Sequence, residues 1–293
     1  MPSETPPPRP GAPDGDPHRL LSLQEAAELE GVHYMTVYRR VRTGRLAAVK
    51  VGSEWRVEAG DLPARAAPAP RGRRGADRRP SRTETRRRLE SRLIEGDEPG
   101  AWEVVDGALA SGAEPSEVLL DVVAPALDSI GRRWEAGDLS IGEEHRASGV
   151  ALRLIGRLGP RFARRGRKQG TVVVGAPHGE QHGIPVAMVG DLLRGQGYAV
   201  IELGADVPDS SFAEAAQRAE RLVCVLIGAT TPGRDGSIAS AIRAVHDRLP
   251  DVPVLVGGAA VDGAAHAARL GARWSGRDGA DVVASVGSLP AAS

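Results

Sequence analysis

A loop of small residues in the second half of the chain carries two imidazoles and one carboxylate. From Gly175 to Pro185 it runs GAPHGEQHGIP, which places His178, Glu180 and His182 among glycines and prolines. Small residues let a flat ligand approach the backbone closely, and an imidazole can ligate a metal. Because Glu180 lies two residues before His182, its carboxylate can hold the ring nitrogen not used for ligation and so fix the tautomer. Taken alone, such a loop is more often ordinary turn chemistry.

A second group of candidate residues lies upstream, in the segment WEAGDLSIGEEH that begins at Trp134. The glycine break at Gly137 separates this tryptophan from the Glu144-His145 pair on the next helix. The arrangement puts an aromatic face and two polar side chains at one corner between helices. Without the second domain, these residues are best explained as a core tryptophan and a solvated helix start.

Apolar periodicity predicts the elements that position the upstream group. Between residues 81 and 168 apolar side chains recur every three or four residues, which indicates helices. Four such helices in succession predict a four-helix bundle. The predicted helices are Thr85–Glu95, Gly100–Ser111, Pro115–Ala136 and Ser140–Arg164.

After Gly170 short apolar runs alternate with helical segments, and this alternation predicts a flavodoxin-like α/β domain over residues 169–293. Ligands of such domains bind beyond the carboxyl ends of the parallel strands. The loop that contains His182 follows the first strand, so we expect it to face a ligand. The predicted strands are Thr171–Ala176, Ala199–Leu203, Leu222–Ile227 and Val252–Val256, and the predicted helices are Ile184–Gly195, Ser211–Ala219, Ser237–Leu249, Ala260–Leu270 and Asp278–Val286.

The segment of residues 18–63 predicts a winged helix-turn-helix. Ser22 and Glu25 form a capping box at the start of the first helix, a second helix ends near Gly44, and two β-prone runs then form a hairpin. The segment closely resembles the excisionase/MerR-like helix-turn-helix, which implies double-stranded operator DNA as a partner. The residue types suited to phosphates and base edges are Thr36, Tyr38, Arg39, Arg40 and Arg42 on the second helix and Arg56 in the wing.

The charges of the 293-residue chain are distributed unevenly, although 38 basic residues balance 38 acidic ones. Eleven arginines and three acids lie within residues 63–93, whereas residues 94–293 are acidic overall. This asymmetry is typical of a nucleic-acid binder that carries a separate module. Residues 1–17 predict a disordered tail and residues 64–80 an Arg/Pro-rich linker.

Other features of the sequence limit the class of protein. The single cysteine, Cys224, excludes an internal disulfide and a Cys-rich zinc site. No run approaches the ~20 apolar residues of a membrane span, and the proline-rich N-terminus has no apolar signal-peptide region. We therefore expect a cytoplasmic protein without a membrane partner.

The bundle and the α/β domain together resemble the cobalamin-binding module shared by corrinoid methyltransferases and the CarH-type, adenosylcobalamin-dependent photoreceptor repressors. The resemblance covers roughly residues 81–288, and Trp134 with Glu144-His145 matches the Trp-x9-Glu-His signature of the photoreceptor branch. It implies that Trp134 and Glu144 hold the upper adenosyl group and that His145 becomes a cobalt ligand after light. It also implies that His182 is the lower axial ligand, within a Glu180-x-His182 variant of the family's Asp-x-His motif.

The resemblance also assigns the corrinoid's nucleotide tail to Gly257 and Gly258. Two positions depart from the family pattern: Pro185 stands where the family has a glycine, and Gly228-Ala229-Thr230 replaces Ser-x-(Leu/Thr). Both changes fall on the slot for the tail. A bilin or another tetrapyrrole without a nucleotide tail is therefore an alternative ligand.

These observations predict a light-responsive, adenosylcobalamin-dependent transcriptional regulator that is not an enzyme. Its repressor role and its assembly as a homodimer or homotetramer are implied by the resemblance. One alternative is a regulator that senses a bilin, another tetrapyrrole or the cobalamin level without light. Another is a corrinoid carrier protein for methyl transfer, which would need neither the DNA-binding module nor Trp134.

Overall fold

The computed structural model describes residues 18–30, 34–42, 46–52, 54–62 and 81–290. These residues belong to two compact units, one within residues 1–77 and one within residues 78–293. The predicted tail and linker lie outside the described residues, as do the side chains of the predicted DNA contacts Thr36, Arg39 and Arg42.

The described residues of the first unit form two α-helices and a three-stranded antiparallel sheet of order β1-β3-β2. The Ser22 hydroxyl accepts the Glu25 N–H at 3.2 Å, and the Glu25 carboxylate accepts the Ser22 N–H at 2.8 Å, so the predicted capping box is present. The predicted hairpin is formed by β2 and β3, while β1 was not predicted. The elements are β1 (Leu20–Ser22), α1 (Leu23–Glu30), α2 (Tyr34–Arg42), β2 (Val49–Val51), β3 (Glu54–Glu58) and the 3-10 turn Ala59–Asp61.

The second unit begins with the four-helix bundle, whose third helix differs from the prediction. It is divided by a π-helical segment, Leu119–Val123, in which the Ala124 N–H donates to the Leu119 carbonyl oxygen. Pro125 lies two residues after Val123 and has no N–H to donate to a carbonyl oxygen of this segment. The bundle consists of α3 (Arg82–Glu95), α4 (Glu98–Ala110), α5 (Pro115–Val118) continuing through the π segment into α6 (Ala124–Glu135), and α7 (Ile141–Leu158).

The rest of the second unit is a five-stranded parallel sheet of order β5-β4-β6-β7-β8 with helices on both faces. This is the flavodoxin order 2-1-3-4-5. The short strand β8 was not predicted, and β5 extends beyond its predicted end. The elements are β4 (Thr171–Pro177), α8 (Gly183–Gln196), β5 (Ala199–Val207), α9 (Asp209–Arg218), β6 (Leu222–Gly228), α10 (Asp235–His246), β7 (Val254–Gly257), α11 (Ala264–Leu270), β8 (Arg273–Gly276) and α12 (Gly279–Gly287).

The bundle packs against the α/β part through α8. Met188 and Leu192 of α8 belong to the same buried cluster as Leu154 and Leu158 of α7. This shared core crosses the predicted domain boundary at residue 168, and it fixes the bundle relative to the start of α8, where His182 lies.

Glycines from all five strands form rows across the carboxyl edge of the sheet. Gly175 of β4 pairs with Gly204 of β5, while Gly257 of β7 pairs with both Gly228 of β6 and Gly276 of β8. Side chains are therefore missing where a parallel sheet offers its ligand site.

No helix within the described ranges combines the length and the apolar character needed to cross a bilayer.

Candidate functional site

The loop after β4 brings Glu180 and His182 into direct contact. The Glu180 side chain is fully buried, and its Oε1 lies 2.5 Å from His182 Nδ1. The same oxygen accepts the His182 backbone N–H at 3.1 Å. His182 precedes the first residue of α8, and its side chain is 56% exposed. The carboxylate thus holds the inner side of an imidazole whose outer side faces solvent.

The electrostatics of Glu180 determine the tautomer of His182. Burial by itself raises the pKa of Glu180, but hydrogen bonds outweigh it and lower the pKa to about 2; the donors are the Thr231 N–H, the His182 ring, the Thr230 N–H and the His182 N–H. An ionised carboxylate only accepts hydrogen bonds, so Nδ1 of His182 carries the proton. In the neutral imidazole the lone pair then lies on Nε2, which is the nitrogen left to ligate a metal.

The loop after β6 completes this cluster with Thr231, which the sequence analysis missed. The N–H groups of Thr230 and Thr231 donate to Glu180 Oε2 at 2.8 and 2.7 Å. The Thr231 hydroxyl donates to Glu180 Oε1 at 3.1 Å and lies 3.3 Å from His182 Nδ1. The predicted residue, Thr230, contributes its backbone, while its own Oγ1 is buried and has no hydrogen-bond partner among the described residues.

The sheet edge beside this cluster has features that suit a bulky ligand. A Cβ at Gly228 would meet only Val186 Cγ2, at 3.9 Å, which leaves space on the side of α8. At Gly257 and Gly258, by contrast, a Cβ would collide with neighbouring strands and loops, so packing alone requires these two glycines. The open position at Gly228 and the unpartnered Thr230 hydroxyl are compatible with a cofactor that enters between the sheet and α8.

The second predicted group lies at the turn between α6 and α7. Trp134 is the penultimate residue of α6 and is 43% exposed. Its carbonyl accepts the Gly137 N–H at 2.9 Å, and Ser140 caps α7 through a capping box with Glu143. The short turn therefore fixes where α6 ends and where α7 begins.

Glu144 and His145 are in contact within the first turns of α7. His145 Nδ1 lies 2.8 Å from Glu144 Oε2, and the Ser148 hydroxyl donates to Glu144 Oε1 at 2.6 Å. The imidazole of His145 is 76% exposed. The structure thus brings together Glu180, His182, Thr230 and Thr231 in one cluster and Glu144 with His145 in another.

In the first unit the structure gives Arg40 a contact within the protein. Its Nη1 lies 2.5 Å from Oε2 of Glu30, whose side chain is only 7% exposed. Tyr38 stacks on Tyr34 with ring centroids 6.2 Å apart. Arg56 lies on β3, opposite Val49 of β2 and Ser22 of β1. Arg40 therefore contributes to the packing of α1 against α2.

Comparison with known families identifies the second unit. Two family profiles, each described as a B12 binding domain, match residues 85–158 and residues 170–285. The dimethylamine corrinoid protein of Methanosarcina barkeri is 30% identical over 179 residues, which cover 58% of this chain and 78% of that protein. The chain belongs to the B12 binding domain family. Its predicted cobalamin-binding module is thereby confirmed, and a corrin rather than a bilin is the tetrapyrrole that these matches support.

Two further comparisons agree with membership of the B12 binding domain family. Trimethylamine corrinoid protein 1 of Methanosarcina acetivorans is 28% identical over 198 residues, which cover 66% of this chain and 91% of that protein. The structure of the Methanosarcina barkeri monomethylamine corrinoid protein matches with a TM-score of 0.61 at 18% identity, covering 70% of this chain and 97% of that one, and so shows a shared fold. These relatives are named as corrinoid proteins.

A third family profile matches the part of the chain before the B12 binding domains. A profile described as a helix-turn-helix domain matches residues 20–67, which include α1 and α2. The chain therefore combines a cobalamin-binding module with an N-terminal helix-turn-helix.

Proposed function

We propose that the chain is an adenosylcobalamin-dependent, light-responsive transcriptional regulator. The observation that carries the proposal is the presence of a helix-turn-helix domain and two B12 binding domains in one chain. A DNA-binding module gives a cofactor-binding module a way to control transcription. The repressor role follows the resemblance of Trp134 with Glu144-His145 to the photoreceptor branch.

In this proposal His182 would be the residue that holds the cobalt of the cofactor. Its Nε2 is free to bind cobalt because the contact of Nδ1 with Glu180 fixes the tautomer. Thr231 restrains both groups through its hydroxyl. The nucleotide tail is assigned to the side of the sheet where Gly228 leaves space, with Thr230, Gly257 and Gly258 beside it.

In this proposal Trp134, Glu144 and His145 would face the adenosyl group of the cofactor. Adenosylcobalamin supplies a cobalt–carbon bond that light can break. The exposed Trp134 ring gives an apolar surface for the adenosyl group, and Glu144 offers it a hydrogen-bond acceptor. His145 is exposed and its Nδ1 contacts Glu144, so its Nε2 would be available to hold the cobalt on that side.

Assembly of several chains makes DNA binding controllable. One small winged module buries too little surface for tight and specific binding, whereas two or more modules on one oligomer bind with a high effective concentration. A light-dependent change between a homodimer or homotetramer and the free subunit would therefore change occupancy of the operator. The DNA contacts are assigned to α2 and the wing, with Thr36, Tyr38, Arg39, Arg42 and Arg56 as candidates and Arg40 as a packing residue.

The proposal is tested with purified chain loaded with adenosylcobalamin in the dark. We expect size-exclusion chromatography to show an oligomer that changes its elution volume after green light, and gel-shift assays to show DNA binding that changes with it. A Trp134→Ala variant should lose the light response and retain the cofactor. Identical elution in the dark and after light, with cofactor bound, would overturn the light-dependent part.

A second candidate function is a corrinoid carrier protein for methyl transfer. The names of the relatives, dimethylamine and trimethylamine corrinoid protein, favour it. The two candidates differ in the role of the first unit. A genomic selection for DNA sequences retained by the chain separates them, because a carrier has no use for sequence-specific DNA binding.

A further inference from the structure

Asp206 has an unusual backbone conformation next to the His182 loop. It lies near the carboxyl end of β5, and its φ of 53° puts it in the left-handed region. Few residues other than glycine adopt this conformation, although aspartate tolerates it better than most. Such a residue persists where the surrounding contacts hold it in place.

The contacts of Asp206 all lead to the loop that carries His182. Its Oδ1 accepts the Gly179 N–H at 2.7 Å and lies 2.9 Å from Nδ1 of His178. Its own N–H donates to the Glu180 carbonyl oxygen at 2.8 Å. One residue of β5 therefore holds three successive loop residues, His178, Gly179 and Glu180, from outside the loop.

Arg234 confines the same loop at Gly179. A Cβ at Gly179 would lie 2.6 Å from Nη1 of Arg234, and Gly179 has a φ of 82°. The loop is thus held by its contacts with Asp206, and Arg234, in the connection between β6 and α10, packs against it. The contacts of Asp206 with residues 178–180 also restrain His182, because Glu180 takes part in both sets of contacts. Its carbonyl oxygen accepts the Asp206 N–H, and its carboxylate contacts the His182 imidazole.

We infer that Asp206 is a positioning residue for cobalt ligation: its contacts with Gly179, His178 and the Glu180 backbone hold the Glu180–His182 pair ready before the cofactor arrives. The inference rests on the proposed role of His182 as the lower ligand. Without the Asp206 side chain, the loop can adopt further conformations in which the His182 imidazole does not point towards the cofactor. Only chains with the correct loop conformation can then bind, which lowers the apparent affinity. The cluster of Glu180, Thr230 and Thr231 sets the tautomer, while Asp206 sets the position of the loop.

The side chain can be tested separately from the backbone strain. In Asp206→Gly the positive φ becomes unstrained, so this variant removes the carboxylate without imposing strain. In Asp206→Asn the amide oxygen still accepts the Gly179 N–H. Arg221, the other described non-glycine residue with a positive φ, at 50°, provides the matched control Arg221→Gly.

The probe is aquocobinamide, a corrin that lacks the nucleotide tail and its base, so that a nitrogen ligand below the cobalt must come from the protein. We expect Asp206→Gly to bind it about tenfold more weakly, Asp206→Asn within about threefold of the parent chain, and Arg221→Gly unchanged. In the cobalt(II) form, nitrogen splitting in the electron paramagnetic resonance spectrum should weaken in Asp206→Gly and recover in Asp206→Asn. A general loss of folding would not give this selective recovery.

His182→Ala separates the two hypotheses. If His182→Ala removes the nitrogen splitting but Asp206→Gly matches the parent chain in both affinity and splitting, the role of Asp206 is refuted and His182 remains the ligand. If the splitting stays intact when His182→Ala is combined with His145→Ala, which removes the other imidazole proposed to reach the cobalt, the assignment of the lower ligand in the proposed function is wrong. Thermal unfolding of each apo variant shows whether the fold is retained.

Discussion

Glu180 Oε1 lies 2.5 Å from His182 Nδ1, although the Glu180 side chain is completely buried and the imidazole is more than half exposed. The carboxylate is compensated by the N–H groups of Thr230 and Thr231 on its other oxygen. A buried anion with this many donors orients the ring and favours a proton on Nδ1. The consequences can be tested on the apo chain and with aquocobinamide.

Glu180→Gln should weaken binding of aquocobinamide about tenfold, within the range measured for residues that support a metal ligand. The amide has one acceptor oxygen in place of two and no charge, so it cannot accept from His182 and from both threonine N–H groups. Spectrophotometric titration of the apo chain measures the dissociation constant. Glu202→Gln is the control, since Glu202 pairs with Arg194 away from the cluster. Equal affinities for the parent chain and Glu180→Gln would contradict the role of the carboxylate.

The stability difference between the parent chain and Glu180→Gln should depend on pH. The pKa of Glu180 is lowered to about 2 in the folded chain from 4.5, so its ionised form stabilises the fold above about pH 4.5 and this contribution is lost as the pH falls towards 2. The difference in free energy of unfolding should shrink over that window by up to about 3 kcal/mol. Urea unfolding near pH 7 and pH 3.5 measures the first part of this loss, on the order of 1–2 kcal/mol. A difference that does not vary with pH would show that Glu180 has an ordinary pKa.

Thr231→Val should weaken aquocobinamide binding about threefold to tenfold, because it removes the hydroxyl that restrains Glu180 and His182 while keeping the shape and the backbone N–H. Thr231→Ser should restore the parent affinity. The control is Thr230→Val, since the Thr230 hydroxyl has no partner and the probe has no tail for it to contact. The assignment fails if Thr230→Val weakens binding as much as Thr231→Val.

Local spacing made part of this site predictable. Glu180 and His182 are two residues apart, and a strand followed by small residues places them at the carboxyl edge of the sheet. Thr231 was missed because it lies 49 residues from His182 and reaches it only through the pairing of β4 with β6. The Thr230-Thr231 pair after the third predicted strand is the sequence signal for this contact, but the family resemblance covers only Thr230.

The differences between the predicted and the observed strands have similar physical causes. Strand β8 has the sequence RWSG, which contains no apolar run, and it forms a strand because it pairs with β7. Strand β5 continues past Leu203 because its irregular pairing with β4 accommodates Gly204. The bundle and the sheet were predicted well because their buried faces are long and periodic, whereas short edge strands depend on tertiary pairing.

Arg40→Gln should destabilise the first unit, because it leaves the nearly buried carboxylate of Glu30 without its charged partner. A loss of roughly 1–3 kcal/mol is expected from a stranded polar group. Thermal unfolding of the full chain should show a lower midpoint for the first transition, and DNA binding should fall with it. Lys50→Gln, a substitution at an exposed position of β2, should leave the midpoint of this transition nearly unchanged, as surface substitutions usually do. Full stability with lost DNA affinity would instead assign Arg40 to the DNA interface.

Cys224 should be inert towards thiol reagents in the folded chain. It is fully buried in β6, and burial raises the pKa of its thiol to about 12. Near pH 8 only about one thiol in ten thousand is therefore ionised, and burial also keeps the reagent from reaching the sulfur. Ellman's reagent should therefore react slowly with the native chain and rapidly after urea unfolding. Because Cys224 is the single cysteine of the sequence, its rate of reaction also reports opening of the sheet: bound cobalamin should slow it further. Rapid reaction of the native apo chain would show that β6 is not at the centre of a closed core.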